Sequence, residues 1–314
     1  MILVTGGAGF IGSNFVKIML AKYVENVINL DALTYAANKD NLPHSHKHLF
    51  FKTDITKYDQ VVNFVKLNPR VLVHFAAESH VDNSISNPRI FVDTNIVGTF
   101  NLLEAVRKYS PDTLFVHVST DEVYGSLGLE DPAFTEDHPY RPNSPYSASK
   151  AASDLLVRSY YETFGINTII TNCSNNYGPK QHKEKLIPKV IECAIMDKPI
   201  PLYGDGMNIR DWIHVIDHCE AIDFLIKTGK AGQTYNIGAN NEISNRDIVH
   251  RICQIFDNVA PKNNKSHCEL ITFVTDRPGH DRRYALNTKK LNILGWRPKK
   301  IFNQELENLI MENL

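Results

Sequence analysis

The sequence has no apolar run long enough to cross a bilayer, no low-complexity linker and no internal repeat, which sets aside a membrane-spanning chain and a solenoid. Charge of neither sign prevails, because 34 basic residues stand against 35 acidic ones over 314 residues. That balance favours neither nucleic acid nor an anionic membrane surface as a partner, so any anionic ligand must be held by local groups. Cysteine is scarce, and Cys173, Cys193, Cys219, Cys253 and Cys268 are scattered and odd in number. They fit neither a disulfide framework nor a zinc site with paired ligands, so a reducing cytoplasm is the expected compartment. Strand-like sequence from Ile2 onward leaves no room for a basic leader with an apolar core. His44, His46 and His48 alternate after Pro43 without the further ligands that complete a metal's shell, so a solvated loop is expected there, and no metal.

What is present is an ordinary globular composition, 43% hydrophobic and 22% charged, with a repeated alternation of two patterns. Short apolar runs occur at Ile2–Val4, Val27–Leu30, Leu49–Phe51, Val71–Val73 and Leu114–Val118. Helix-like stretches such as Asn14–Lys22, Tyr58–Leu67 and Thr94–Tyr109 separate them. Such βα alternation predicts a Rossmann-type doubly wound parallel sheet, of the α/β class, with ligands at the carboxyl ends of its strands. Beyond Asn176 the pattern loosens under Pro179, Pro188, Pro199 and Pro201. A nucleotide-binding domain over 1–175 and a smaller, less regular α/β substrate domain over 176–314 are expected, partly interleaved.

The first strand runs directly into Thr5-Gly6-Gly7-Ala8-Gly9-Phe10-Ile11-Gly12, which opens the first helix. Gly6, Gly9 and Gly12 carry the spacing of a dinucleotide loop, in which backbone approaches a pyrophosphate and a helix N-terminus faces its charge. Asp31 ends the second strand, where a carboxylate accepts from ribose hydroxyls and repels a 2′-phosphate, so NAD is expected rather than NADP. A turn cap at Asp31 would read the same way. Asp54 and Ile55 follow the third strand, where they would border the adenine, and the small Ala76 and Ala77 follow the fourth, where a cofactor would pass closely.

Tyr146 and Lys150 lie four residues apart on one face of a predicted helix. An ammonium close to a phenol stabilises phenolate, so Tyr146 could take the proton of a hydroxyl as hydride leaves the same carbon. Ser119 and Thr120 end the fifth strand, and Asp121 and Glu122 follow at the sheet edge where the site should lie. Two carboxyls at one site separate their pKa values, one staying an acid and the other a base, as loss of water requires. Both acids could equally cap the start of a helix.

These segments resemble the extended short-chain dehydrogenases/reductases and, within them, the nucleotide-sugar 4,6-dehydratases. The likeness rests on the glycine loop, Ala76-Ala77-Glu78-Ser79-His80-Val81-Asp82, Ser119 to Gly125, and Tyr146 to Lys150. It continues through Asn172 to Pro179, Glu184 to Pro188 and Arg277-Pro278-Gly279-His280-Asp281. The stretch between Gly125 and Tyr146 is shorter than in many bacterial members.

The resemblance implies that Tyr146, with Lys150 and Thr120, oxidises C4 of the sugar against bound NAD. Glu122 would then remove the C5 proton and Asp121 protonate the departing 6-hydroxyl. It implies a nucleoside diphosphate sugar as substrate, a dTDP-sugar favoured over a UDP-sugar, with Arg210 and Arg277 on the diphosphate. Ser79, His80, Asn176, Glu184, Lys185, Leu186, Tyr203, Asn245 and His280 would be further contacts. It also implies a homodimer through Thr94–Tyr109 and Ser149–Phe164, for which Ile96, Leu102, Leu103 and Val106 offer an apolar stripe, although a core-facing stripe would read the same way. Related 4-epimerases share the Tyr/Lys pair but lack both acids, a decarboxylase has no use for an acid at C6, and an NAD-sensing binding protein needs none of the five reacting residues.

Overall fold

In the computed structural model, residues 1–262 and 265–314 are described. The first half lays down β1 (Ile2–Thr5), α1 (Phe10–Lys22), β2 (Val27–Asp31), β3 (His48–Lys52), α2 (Tyr58–Val65) and β4 (Val71–His74). It continues with α3 (Val81–Ser86), α4 (Pro88–Phe91), α5 (Gly98–Tyr109), β5 (Leu114–Thr120), α6 (Pro145–Phe164) and β6 (Thr168–Cys173). The remainder comprises β7 (Asn175–Tyr177), α7 (Leu186–Ile195), β8 (Ile200–Tyr203), β9 (Ile209–His214), α8 (Val215–Thr228), β10 (Gln233–Ile237) and β11 (Glu242–Ser244). It closes with α9 (Asn245–Val259), β12 (Ile271–Val274), α10 (Lys289–Ile293) and α11 (Phe302–Met311).

Seven strands form one sheet in the order β10-β6-β5-β4-β1-β2-β3, all parallel. The strand order reverses between β1 and β4, so a crevice opens there above the carboxyl ends. β1, β2, β4 and β6 are buried along their whole length, which is why β1, β2 and β4 read as short Val/Ile/Leu runs rather than as alternating patterns. One core cluster, including Phe15, Met19, Ile222 and Leu225, packs α1 and α8 on one face. A second, including Leu102, Leu103, Val106, Val157 and Tyr160, packs α5 and α6 on the other. β10 and α8 come from beyond residue 175 yet complete this layer, while β7, β9 and β11 form a small sheet over a separate core of α7, α9 and α11.

The apolar stripe expected to face a partner is corrected here: Leu102, Leu103 and Val106 are fully buried in the chain's own core. The apolar side chains that meet solvent in this part of the fold are instead Val97 in the turn before α5, Phe100 on α5 and Leu155 on α6. The expected helix from Thr94 is also different, because Val92–Val97 is a π-helical turn that leads into α5. Among the histidines after Pro43, His44 and His46 are exposed, whereas His48 starts β3 with its ring bonded to the Pro43 carbonyl and to Asn29.

Candidate active site

The crevice at the strand reversal is a cleft of about 510 Å³ that runs from the glycine loop to the start of α6. At one end, Gly6 has φ +75°, and a Cβ there would stand 2.5 Å from the Ala76 backbone nitrogen. A Cβ on Gly12 would lie 2.3 Å from the Gly6 carbonyl. The loop is thus pressed against β4 and its own first turn, leaving Gly6, Gly9, Phe10, Ile11 and Gly12 lining the cleft at the N-terminus of α1. Asp31 is buried at the end of β2 and accepts from Ala8 N at 2.9 Å and Leu33 N at 2.8 Å. Burial pushes its carboxyl up and those two backbone bonds pull it down. Asp54, Ile55, Ala76 and Ala77 line the same end. Glycines that leave no room for a side chain, a helix N-terminus and a carboxylate at the end of the second strand fit a dinucleotide.

At the other end, Ser119, Thr120, Asp121, Glu122, Tyr146 and Lys150 converge. Their placement follows from local sequence: β5 ends at Thr120, whose hydroxyl caps a short 3-10 turn by accepting from Glu122 N, so both acids project at the sheet edge. Ser144 and Ser147 form a capping box with Pro145 at the first helical position, fixing the start of α6 just before Tyr146. Ser149, one turn on, bonds back to the Tyr146 carbonyl and receives Asn95 Nδ2 at 2.8 Å.

The electrostatics differ between the two acids. Asp121 is 1% exposed; one carboxylate oxygen takes the Thr120 hydroxyl at 3.2 Å and the other is buried without a partner. Burial, then the neighbouring Glu122, pushes its carboxyl well up, which favours the protonated form. Burial also raises Glu122, but Arg277, Arg210 and Lys185 oppose that rise and favour its carboxylate. Tyr146 departs from the sequence expectation: burial first, then Glu122, pushes its phenol well up, and the opposing pull comes from the Thr120 hydroxyl rather than from Lys150. Lys150 instead donates to the Val118 carbonyl at 2.8 Å, and burial lowers its own pKa.

Of the expected substrate residues, Ser79, Asn176, Glu184 and Lys185 line the cleft. Lys185 Nζ bonds the Ser79 carbonyl at 3.1 Å, and Asn176 bonds the Ser174 carbonyl and the His218 ring. His80 stands 4.0 Å from Glu184 at the cleft's margin. Arg210 is buried, stacked 4.1 Å from the centre of the Tyr284 ring, with bonds to the Ile209 and Asp281 carbonyls. Arg277 lies 3.7 Å from Asp82, and Tyr203 meets the His280 ring edge-on. Asn245 begins α9, its N–H on the Asn208 carbonyl. These residues stand outside the cleft, beyond Glu122, whose charge Arg210 and Arg277 both feel. Leu186 packs on the second core instead of facing the cleft.

Sequence reasoning missed Asn95 and Cys173. Asn95, in the π-helical turn, accepts from Glu78 N at 2.9 Å and donates to the Glu78 carbonyl and Ser149, tying the end of β4 to α6. Cys173 ends β6 in the cleft, its thiol on the Ser119 carbonyl. No motif marks either, since each works through packing across elements distant in sequence.

The fold and this site define a dinucleotide-dependent enzyme with a buried acid–base pair beside a tyrosine that faces the cofactor cleft. A family model described as GDP-mannose 4,6 dehydratase matches residues 3–309. The chain is 49% identical to the dTDP-glucose 4,6-dehydratase of Haemophilus influenzae, over 98% of this chain and 96% of that one. A crystal structure of the Streptomyces venezuelae dTDP-glucose 4,6-dehydratase with NAD and dTDP bound superposes with a TM-score of 0.92 at 42% identity, covering 99% of this chain and 95% of that one. The Thermus thermophilus UDP-glucose 4-epimerase in complex with NAD shares the fold too, with a TM-score of 0.89 at 31% identity over 99% and 97% of the two chains. The chain belongs to the nucleotide-sugar 4,6-dehydratase family of extended short-chain dehydrogenases/reductases.

Proposed function

We propose that this chain is an NAD-dependent dTDP-glucose 4,6-dehydratase that converts dTDP-glucose to dTDP-4-keto-6-deoxyglucose and water. The observation that carries the reading is the adjacent pair Asp121 and Glu122 beside Tyr146: one carboxyl held protonated by burial, the other supported as carboxylate by three cations. An epimerase has no work for that pair, and a 4,6-elimination needs both.

Gly6 to Gly12 and Asp31 would hold NAD, which would supply a hydride acceptor regenerated within each cycle. Tyr146 takes the 4-hydroxyl proton, with Thr120 bonding the phenol. The resulting 4-ketone acidifies the C5 hydrogen, which Glu122 removes. Asp121, the protonated carboxyl, gives its proton to the departing 6-hydroxyl, and one of its oxygens has no protein partner competing for that bond. Each acid or base contributes about 10²–10⁴-fold. Arg210, Arg277 and Lys185 surround the anionic end of the site and serve the diphosphate, with Tyr203, Asn245 and His280 toward the nucleoside.

The enzyme works in the cytoplasm, in keeping with five free thiols. It pairs as a homodimer through the exposed α5–α6 face that carries Val97, Phe100 and Leu155. Incubation with dTDP-glucose and, in parallel, UDP-glucose tests the reading by mass spectrometry. A product lighter by one water, formed faster from the thymidine nucleotide, supports it; C4 inversion at unchanged mass makes the chain an epimerase.

A further inference from the structure

A buried ammonium needs a counter-charge, and the direct partner of Lys150 does not supply one. Lys150 is 4% exposed and its Nζ bonds a neutral carbonyl, Val118 O. A carbonyl offsets part of the lost hydration but carries no net charge. The carboxylate that most favours the ammonium belongs to Asp154, one turn further along α6 and 1% exposed. Asp154 Oδ2 accepts from Ser119 Oγ at 2.8 Å and from Asn172 Nδ2 at 3.2 Å, while Oδ1 faces His117 Nε2 at 3.1 Å. Tyr140 acts on the same carboxyl, favouring its charged form. Two donors, from β5 and β6, thus hold an acid that plays no part in the mechanism above.

We propose that Asp154 is a positioning residue: anchored by Ser119 and Asn172, it supplies the buried counter-charge that keeps Lys150 an ammonium one turn from Tyr146. The inference rests on the placement of Tyr146 and Lys150 at the reacting centre given above and goes beyond it in assigning the support of Lys150.

The neighbouring titratable groups leave this task to Asp154. His74 on β4 and His117 on β5 feel Lys150, and burial drives both rings to the neutral form. His74 is further committed on both nitrogens, to Thr5 at 2.7 Å and Thr99 at 3.0 Å. Cys173 on β6 has its thiol pushed up by burial and by Asp121, so it stays neutral. Tyr124 and Tyr140 face Asp154 with phenols raised by burial, and Glu136 and Asp137 act on Tyr124 beyond them. Asp121 and Glu122 act on Tyr146 rather than on Lys150. Burial lifts Asp154 itself to about 6, against the pull of Lys150, Ser119, Tyr140 and Asn172, so the carboxylate prevails at neutral pH.

The test is Asp154→Asn in the full chain. Competitive acetylation with acetic anhydride across pH, without added nucleotide and read lysine by lysine by mass spectrometry, follows the Lys150 titration directly. The expected result is a titration at least one unit lower, seen as about tenfold faster Lys150 labelling at neutral pH, with the half-buried Lys185 unchanged. Single-turnover oxidation of dTDP-glucose by the NAD-loaded wild-type enzyme tests the functional reading separately. Unchanged Lys150 labelling, or faster labelling of all lysines together, overturns the proposal. Ser119→Ala removes one donor from Asp154 and should shift Lys150 the same way by less; should Asp154→Asn fail to fold, an unmoved Lys150 in Ser119→Ala overturns it. A wild-type enzyme that oxidises no nucleotide sugar overturns the functional reading, while the labelling still decides the charge pairing.

Discussion

Replacing Glu122 by Gln should separate the elimination from the oxidation that precedes it. The side chain keeps its shape but can no longer take a proton from C5, and the loss of a positioned base costs about 10²–10⁴-fold, or roughly 3–5 kcal/mol of barrier. Oxidation at C4 should respond in the opposite sense. Glu122 is the largest charge that raises the Tyr146 phenol, second only to burial, so removing it lowers that phenol. A base whose pKa falls becomes active at lower pH, which moves the acid limb of C4 oxidation downward. The lost charge also leaves Arg277, Arg210 and Lys185 to favour an anionic substrate more strongly, so binding should be retained. Stopped-flow absorbance of the reduced nicotinamide reports the first step, and mass spectrometry of the nucleotide sugar reports water loss. The variant should accumulate reduced cofactor while product formation nearly stops. Parallel loss of both steps, or undiminished product formation, would refute the assignment of Glu122 as the base.

Asp31→Asn replaces a carboxylate that accepts two backbone N–H groups and is placed for a ribose, so NAD affinity measured by calorimetry should fall about 10- to 100-fold and discrimination against NADP should shrink. In Gly12→Ala the new Cβ would meet the Gly6 carbonyl at 2.3 Å, an overpacking expected to cost about 1–3 kcal/mol, visible as a lower unfolding midpoint together with weak NAD retention. Burial raises the Asp154 carboxyl to about 6, above the ordinary aspartate range, so its contribution to stability is complete below the unfolded value and is lost as pH rises through about 6. Between those limits the wild type should therefore lose roughly 3 kcal/mol relative to Asp154→Asn, a difference that urea unfolding at a series of pH values can follow. Leu155→Glu places a charge in the exposed α5–α6 face and should yield monomers by light scattering with the fold intact.

The sheet was legible because its strands are buried on both faces, so Ile2–Val4, Val27–Leu30 and Val71–Val73 stand out as short apolar runs punctuated by helices. The glycine loop and Asp31 could be placed for a related reason: each sits at the end of a strand, where sequence spacing and spatial position coincide. Contacts across the fold were not readable in this way. Leu102, Leu103 and Val106 have the spacing of an interface stripe, and only the packing of α5 on α2 and α6 shows that they are core. The phenol of Tyr146 was expected to answer to Lys150 four residues away, yet desolvation and a charge from β5's end outweigh it, and neither is visible along one helix. Arg210 and Arg277 come from the second half of the chain, and their action on Glu122 depends on how that half closes over the sheet. Asn95 escaped notice because a buried amide bridging Glu78 and Ser149 has no sequence signature.

The central claim is that one site oxidises C4, removes water across C5 and C6, and returns the same hydrogen to C6. dTDP-glucose carrying deuterium at C4 tests it most directly, with the product's label located by mass spectrometry and NMR. The account predicts a product lighter by one water that retains the deuterium at C6. Label lost to solvent, or a product of unchanged mass inverted at C4 with its deuterium still there, would contradict it.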